Sequence, residues 1–176
     1  MEFAIFNAIP FLLAIILATP IARQTLNKTT QTIVSSIAMG VLFVAFLSYL
    51  PQIHHDVAII QASEWVPSVG MTLSFYLDGL SLMFALIVTG IGALILFFTG
   101  YYFDDPDEYS RFVIWLLGFA GAMLGVVLSG NLLMLFVAWE LTSITSFMLI
   151  GFKGDKYEDA RAGAFQALFV TGGGAL

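Results

Sequence analysis

The sequence predicts an all-α polytopic membrane protein with about six transmembrane helices, and three observations predict it. First, 60% of the 176 residues are AVILMFWYC, only 10% are charged, and the mean hydropathy is +0.96. A soluble domain carries about 25% charged residues, and a chain this apolar cannot cover its surface with polar groups in water. Second, the apolar residues are gathered into runs close to the roughly 20 residues that cross a bilayer core. Third, the six Lys and Arg fall in the connections between those runs or at the mouth of the last one.

The chain opens Met1-Glu2-Phe3-Ala4, an acid followed directly by an apolar run. A cleaved signal would need a positive leader and a small-residue cleavage site, so the run reads as a retained span over residues 3–22. The second span is 33–50, stopped by Pro51. The third is 79–103, long enough to tilt. The fourth, 112–128, follows the polar run Asp104-Asp105-Pro106-Asp107-Glu108, in which Asp105-Pro106 reads as cap and first-turn proline. The fifth is 132–152. A sixth starts near 157 and is still running at Leu176, which predicts that this is the front part of a longer chain.

The long connection, about 52–77, is expected to hold a short external β-hairpin between helices two and three. Met71, Leu73, Phe75 and Leu77 alternate with Thr72, Ser74 and Tyr76 in a period of two, after a turn-like Pro67-Ser68-Val69-Gly70. His54-His55-Asp56 in the same connection lacks the ligand spacing a metal demands, and reads as a solvated loop.

Arg23 and Lys28 lie between spans one and two, Arg111 between three and four, and Lys153, Lys156 and Arg161 between five and six. All six share one side, which the positive-inside rule makes cytoplasmic, with the N-terminus outside. A net charge of −6 argues against a nucleic-acid partner. There is no cysteine, no phosphate-binding glycine loop with its lysine, and no nucleophile–base pair, so neither cofactor nor soluble-type catalysis is expected.

One acid lies inside a span. Glu140, in Phe136-Val137-Ala138-Trp139-Glu140-Leu141-Thr142, lies nine residues beyond Asn131, about 13 Å down a helix and near the midplane of the core. A carboxylate there must be protonated, hydrated or paired with a cation, each of which makes it a handle for a proton or a cation. Ser143 shares its face one turn on, and Thr142, Thr145 and Ser146 add hydroxyls able to solvate an ion. The bland alternative is a buried glutamate that only joins helices. Asp78, where the external strand turns into span three, reads first as an N-cap and second as an entry acid for cations. Small residues at Gly118, Gly121, Ala122 and Gly125, and at Gly163 and Ala167, are expected to let helices approach closely. Gly172-Gly173-Gly174 is read the same way ahead of a hinge.

The stretch Gly121-Ala122-Met123-Leu124-Gly125-Val126-Val127-Leu128-Ser129 into Asn131, then Trp139-Glu140-Leu141-Thr142-Ser143 and Ser146-Phe147-Met148-Leu149-Ile150-Gly151-Phe152, resembles the A subunits of the Mrp (Mnh) multisubunit Na⁺/H⁺ antiporters. Leu77-Asp78-Gly79-Leu80-Ser81-Leu82 resembles the motif before the third helix of that family. The resemblance runs from about Trp65 onward. Gly130 departs from it, standing where an acid or polar residue is common. The wider superfamily includes the proton-translocating, antiporter-like subunits of complex I and of membrane-bound hydrogenases. In the complex I relatives a glycine usually follows the Glu, where this chain has Leu141. The resemblance implies that Glu140 is the family's fifth-helix glutamate, working in proton or cation translocation with a lysine beyond Leu176. It further implies a secondary transporter subunit rather than an enzyme, sited in the cell membrane with other Mrp subunits as partners. The alternative it leaves open is a proton-pumping subunit of a complex I or hydrogenase type enzyme.

Overall fold

The protein, as a computed structural model, is described at residues 2–53, 58–66, 71–154 and 157–175. The stretch 3–22 folds as two helices instead of one. α1 (Glu2–Ala18) gives way at Thr19, whose hydroxyl donates to Ile16 O (2.7 Å) and accepts from the Ala22 amide (3.2 Å). Pro20 then opens α2 (Pro20–Thr25), at the position where a missing N–H would be unpaired anyway. A Thr-Pro stop and restart thus overrides continuous hydropathy. α3 (Lys28–Leu47) starts earlier than 33 because its polar first turns are helical and pack inward, with Gln31, Thr32 and Ser35 buried. Pro51 does not stop it. The helix ends at Leu47, and Pro51 lies inside the short α4 (Leu50–Ile53).

α5 (Gly79–Tyr102) fits the predicted third span to within a residue. α6 (Pro106–Leu128) starts six residues before 112, since Asp105 accepts from the Asp107 amide (3.0 Å) and draws the acidic run into the first turn. α7 (Leu132–Ile150) is capped by Asn131, which accepts from the Met134 amide (2.8 Å). α8 (Glu158–Ala175) follows. Four of these are long and apolar enough to cross a membrane: Lys28–Ile53, α5, α6 and α7. α1 is a shorter apolar helix, and α8 carries Glu158, Asp159 and Arg161 in its first turn. Where six spans were expected there are thus four helices long and apolar enough to cross, one helix of about 26 Å and one with a charged start.

α6 is the hub, packed against α1, α5 and α7, while α3 lies on α5 and α8 on α7. Its small residues make this arrangement fit. A Cβ at Gly121 would come within 2.9 Å of the Phe11 ring on α1, and one at Gly125 within 3.0 Å of Ala138 on α7. On α8 a Cβ at Gly163, Gly172 or Gly173 would meet nothing within 4 Å among the described residues, and Ala164, 1% exposed, makes the contact to Gly151. Outward faces are strongly apolar, with Leu94 69% and Phe98 64% exposed. Lipid is the solvent such faces suit.

β1 (Ile59–Val66) and β2 (Met71–Leu77) form an antiparallel pair with a bulge between Glu64 and Val66. The period of two holds: Phe75 and Leu77 are buried, and Thr72 is exposed. The pair sits on a core of Phe3, Phe46, Leu82, Leu124, Leu128 and Met134. It is tied down by the Phe75–Ser129 bridge, by Gly130 N to Ser74 O (2.7 Å), by Asn131 Nδ2 to Thr72 O (2.7 Å) and by Phe3 N to Gln61 Oε1 (3.2 Å). Gly130 is explained here, because a Cβ would overlap Ser74 Oγ and lie 2.9 Å from Ser74 O. The predicted turn at 67–70 and His54-His55-Asp56 lie outside the described residues.

At the opposite end, three of the described basic side chains meet a cluster of aromatic rings. Lys28 Nζ donates to Phe103 O and stands 5.8 Å from the Tyr109 ring centroid. Arg111 lies over Phe152 (5.5 Å) and Lys153 over Phe103 (6.0 Å). The basic end and the hairpin end are therefore opposite ends of one bundle.

Candidate functional site

Glu140 is the ninth of the 19 residues of α7. It is half-buried, and its Oε1 is shielded from solvent with no hydrogen-bond partner among the described residues. A buried carboxylate oxygen normally finds a donor, which makes this one unusual. Of the described cations, Lys28, Arg111 and Lys153 stand against aromatic rings at the basic end, and Arg161 lines a cleft there with Arg111. No group of three or more metal-ligating side chains exists among the described residues.

The hydroxyls are more constrained than expected. Thr142 Oγ1 donates to Trp139 O (2.6 Å), Ser143 Oγ to the same carbonyl (3.3 Å), and Thr145 Oγ1 to Leu141 O (2.7 Å). Their protons are spent within the helix, leaving oxygen lone pairs that can accept from a water or coordinate a cation but do not reach Glu140 as donors. Ser143 is buried. Thr145 faces α6, where a Cβ at Gly118 would lie 3.4 Å from its methyl group. Ser146 is half-buried. The structure thus keeps Ser143 with Glu140 on one face and turns Thr145 away to the α6 interface.

Asp78 is the N-cap of α5, accepting from the Ser81 amide (2.8 Å) and hydroxyl (2.7 Å). These bonds, the amide first, hold its carboxyl below the usual range. Asn7 escaped the sequence reading. It is the only polar side chain in α1 beyond Glu2, its Oδ1 is buried without a partner among the described residues, and it lines a cavity of about 140 Å³ between α1, α6 and α7. A lone amide in an apolar run was the available signal. Tyr109, wholly buried, was missed too; its hydroxyl pairs with Thr32 Oγ1 (2.7 Å) across α3 and α6.

The apolar helices are those of a multi-pass membrane protein, and one mid-helix carboxylate oxygen is unpartnered among the described residues. Residues 65–113 match the family described as NADH-ubiquinone oxidoreductase (complex I), chain 5 N-terminus, and 129–175 match NADH:quinone oxidoreductase/Mrp antiporter, TM. The chain is 43% identical over 136 residues to the A1 subunit of the Na⁺/H⁺ antiporter of Staphylococcus haemolyticus, covering 77% of this chain and 17% of that protein. It is 46% identical over 113 residues to the A/B subunit of a probable K⁺/H⁺ antiporter of Rhizobium meliloti, covering 64% and 11%. The solved Mrp complex from Dietzia sp. DQ12-45-1b contains a chain that superposes with TM-score 0.84 at 28% identity, over 100% of this chain and 18% of that one. The similarity is to antiporter A subunits, and the chain spans less than a fifth of the length of these relatives.

Proposed function

We propose that the chain is part of a subunit of a multisubunit monovalent cation (Na⁺)/proton antiporter, and that Glu140 is its ion-translocating carboxylate. The observation that carries the reading is the solvent-shielded, unpartnered Oε1 midway along α7 in a homologue of antiporter A subunits. A carboxylate anion in low dielectric is costly without a counter-charge, so its proton occupancy follows hydration and the approach of a cation. The counter-charge is a lysine beyond Leu176, in keeping with the absence of a cation near Glu140 among the described residues. Ser143 supports the site with a lone pair for a bridging water. The hairpin end and α1 start face outside and the basic end faces the cytoplasm, in keeping with the positive-inside rule. The partners are the other subunits of an Mrp-type complex in the cell membrane, and the protein is part of a transporter, not an enzyme.

The match of 65–113 to the complex I chain favours one second reading, a proton-pumping subunit of a redox complex. Glu140→Gln and Glu140→Ala in the full complex, expressed in an antiporter-deficient strain, test the first. Na⁺-dependent proton exchange in everted vesicles is expected to fall to background in both while assembly is kept. Retained exchange overturns the role, and loss of assembly in both favours the structural one. Proton pumping that needs a quinone reductant and no Na⁺ gradient supports the second reading.

A further inference from the structure

A cleft of about 370 Å³ opens where α6, α7 and the start of α8 meet at the basic end. Arg111 and Arg161 line it, and no Asp or Glu is among its described lining residues, although the chain carries twice as many acids as bases. Arg111 holds its guanidinium over Phe152, with Cζ 5.5 Å from the ring centroid, and the same side chain lines the cleft. Below the two arginines the wall is apolar: Trp115, Met148 and Phe165 run along the membrane side. Both arginine side chains are solvent-exposed, within the first two turns of α6 and α8.

We infer that this cleft binds one anionic phospholipid, its phosphate held by Arg111 and Arg161 and its acyl chain lying along Trp115, Met148 and Phe165. Guanidinium forks match phosphate oxygens, an indole suits the headgroup level, and paired bases between membrane helices are the setting in which anionic headgroups are recognised. Free phosphate shares the headgroup chemistry but has nothing to place on the apolar wall, and a zwitterionic lipid brings its own ammonium against two cations. The inference does not depend on Glu140.

The test uses the intact purified complex in detergent, wild type and Arg111→Gln/Arg161→Gln. Phosphatidylglycerol, phosphatidylcholine and inorganic phosphate are titrated while the unfolding temperature is followed. Phosphatidylglycerol is expected to raise it in the wild type, phosphatidylcholine and phosphate are not, and the double variant is expected to need about 30-fold more phosphatidylglycerol, a factor of about five per lost charge. An equal response to phosphatidylcholine, a full response to inorganic phosphate, or an unchanged titration in the double variant overturns the proposal. Should the double variant fail to assemble, a photoactivatable phosphatidylglycerol on the wild type decides. Crosslinking to the Trp115 or Met148 peptides supports the site. Crosslinks elsewhere, or exclusion of the probe by another polypeptide segment occupying the cleft, overturn it.

Discussion

Glu140 and Asp78 are both carboxylates near helices, yet their surroundings give them opposite tasks. Asp78 has the Ser81 amide and hydroxyl as donors and is satisfied. Glu140 Oε1 has none among the described residues. A satisfied acid is a structural part, and its effect is on stability. With its carboxyl held below the ordinary carboxylate range, Asp78 contributes stability that is fully present above about pH 4 and is lost as pH falls through the folded value. Asp78→Asn keeps an acceptor for the cap and removes that acid-range dependence, so the gap in unfolding temperature between wild type and variant should narrow as pH drops below about 4. Asp78→Ala removes the cap itself and is expected to cost about 1 kcal/mol at neutral pH. Thermal unfolding of the complex across pH 3–7 checks both.

At the scale of elements, residue periodicity carried the sequence reading a long way. The hydropathy runs gave α5 and α7 within a residue or two, and the alternation at Met71–Leu77 gave a strand. What periodicity missed was local chemistry that beats it: the Thr19-Pro20 restart, the buried Gln31, Thr32 and Ser35 that lengthen α3, and the Asp105 cap that lengthens α6. Glu140 stood out in the sequence because it is an acid inside an apolar run, and the structure leaves its Oε1 without a partner among the described residues. The self-bonding of Thr142 and Thr145 was not, since a hydroxyl's choice between its own helix and a neighbour depends on which way the helix faces. Gly130 likewise looked like a departure from a family pattern and proves to be a point of backbone contact. Gly130→Ala would press a methyl group on the Ser74 carbonyl and is expected to cost about 1–3 kcal/mol while loosening the hairpin. Faster amide hydrogen exchange at Gln61 and Phe75–Leu77, with α5 unchanged, is the measurement that shows it.

At the scale of the whole molecule, every described long helix runs between a hairpin end and a basic aromatic end, and the lack of any cysteine makes that polarity easy to test. Ala62→Cys on β1 should react in intact cells with a membrane-impermeant maleimide, and Thr29→Cys at the start of α3 only after lysis; both positions are exposed. The reverse pattern would invert the orientation proposed above. The position of Glu140 along α7 has an electrical consequence. Its Cα is eight residues from Leu132 and ten from Ile150, or about 12 Å from one end and about 15 Å from the other. In the translocation role proposed above, a charge carried to this depth from either surface would cross about half of the membrane voltage. A unit charge is worth about 2.3 kcal/mol per 100 mV, so each 100 mV would bias that step by about 1 kcal/mol, roughly sixfold. On that role an energised membrane and a collapsed one would drive the same step differently.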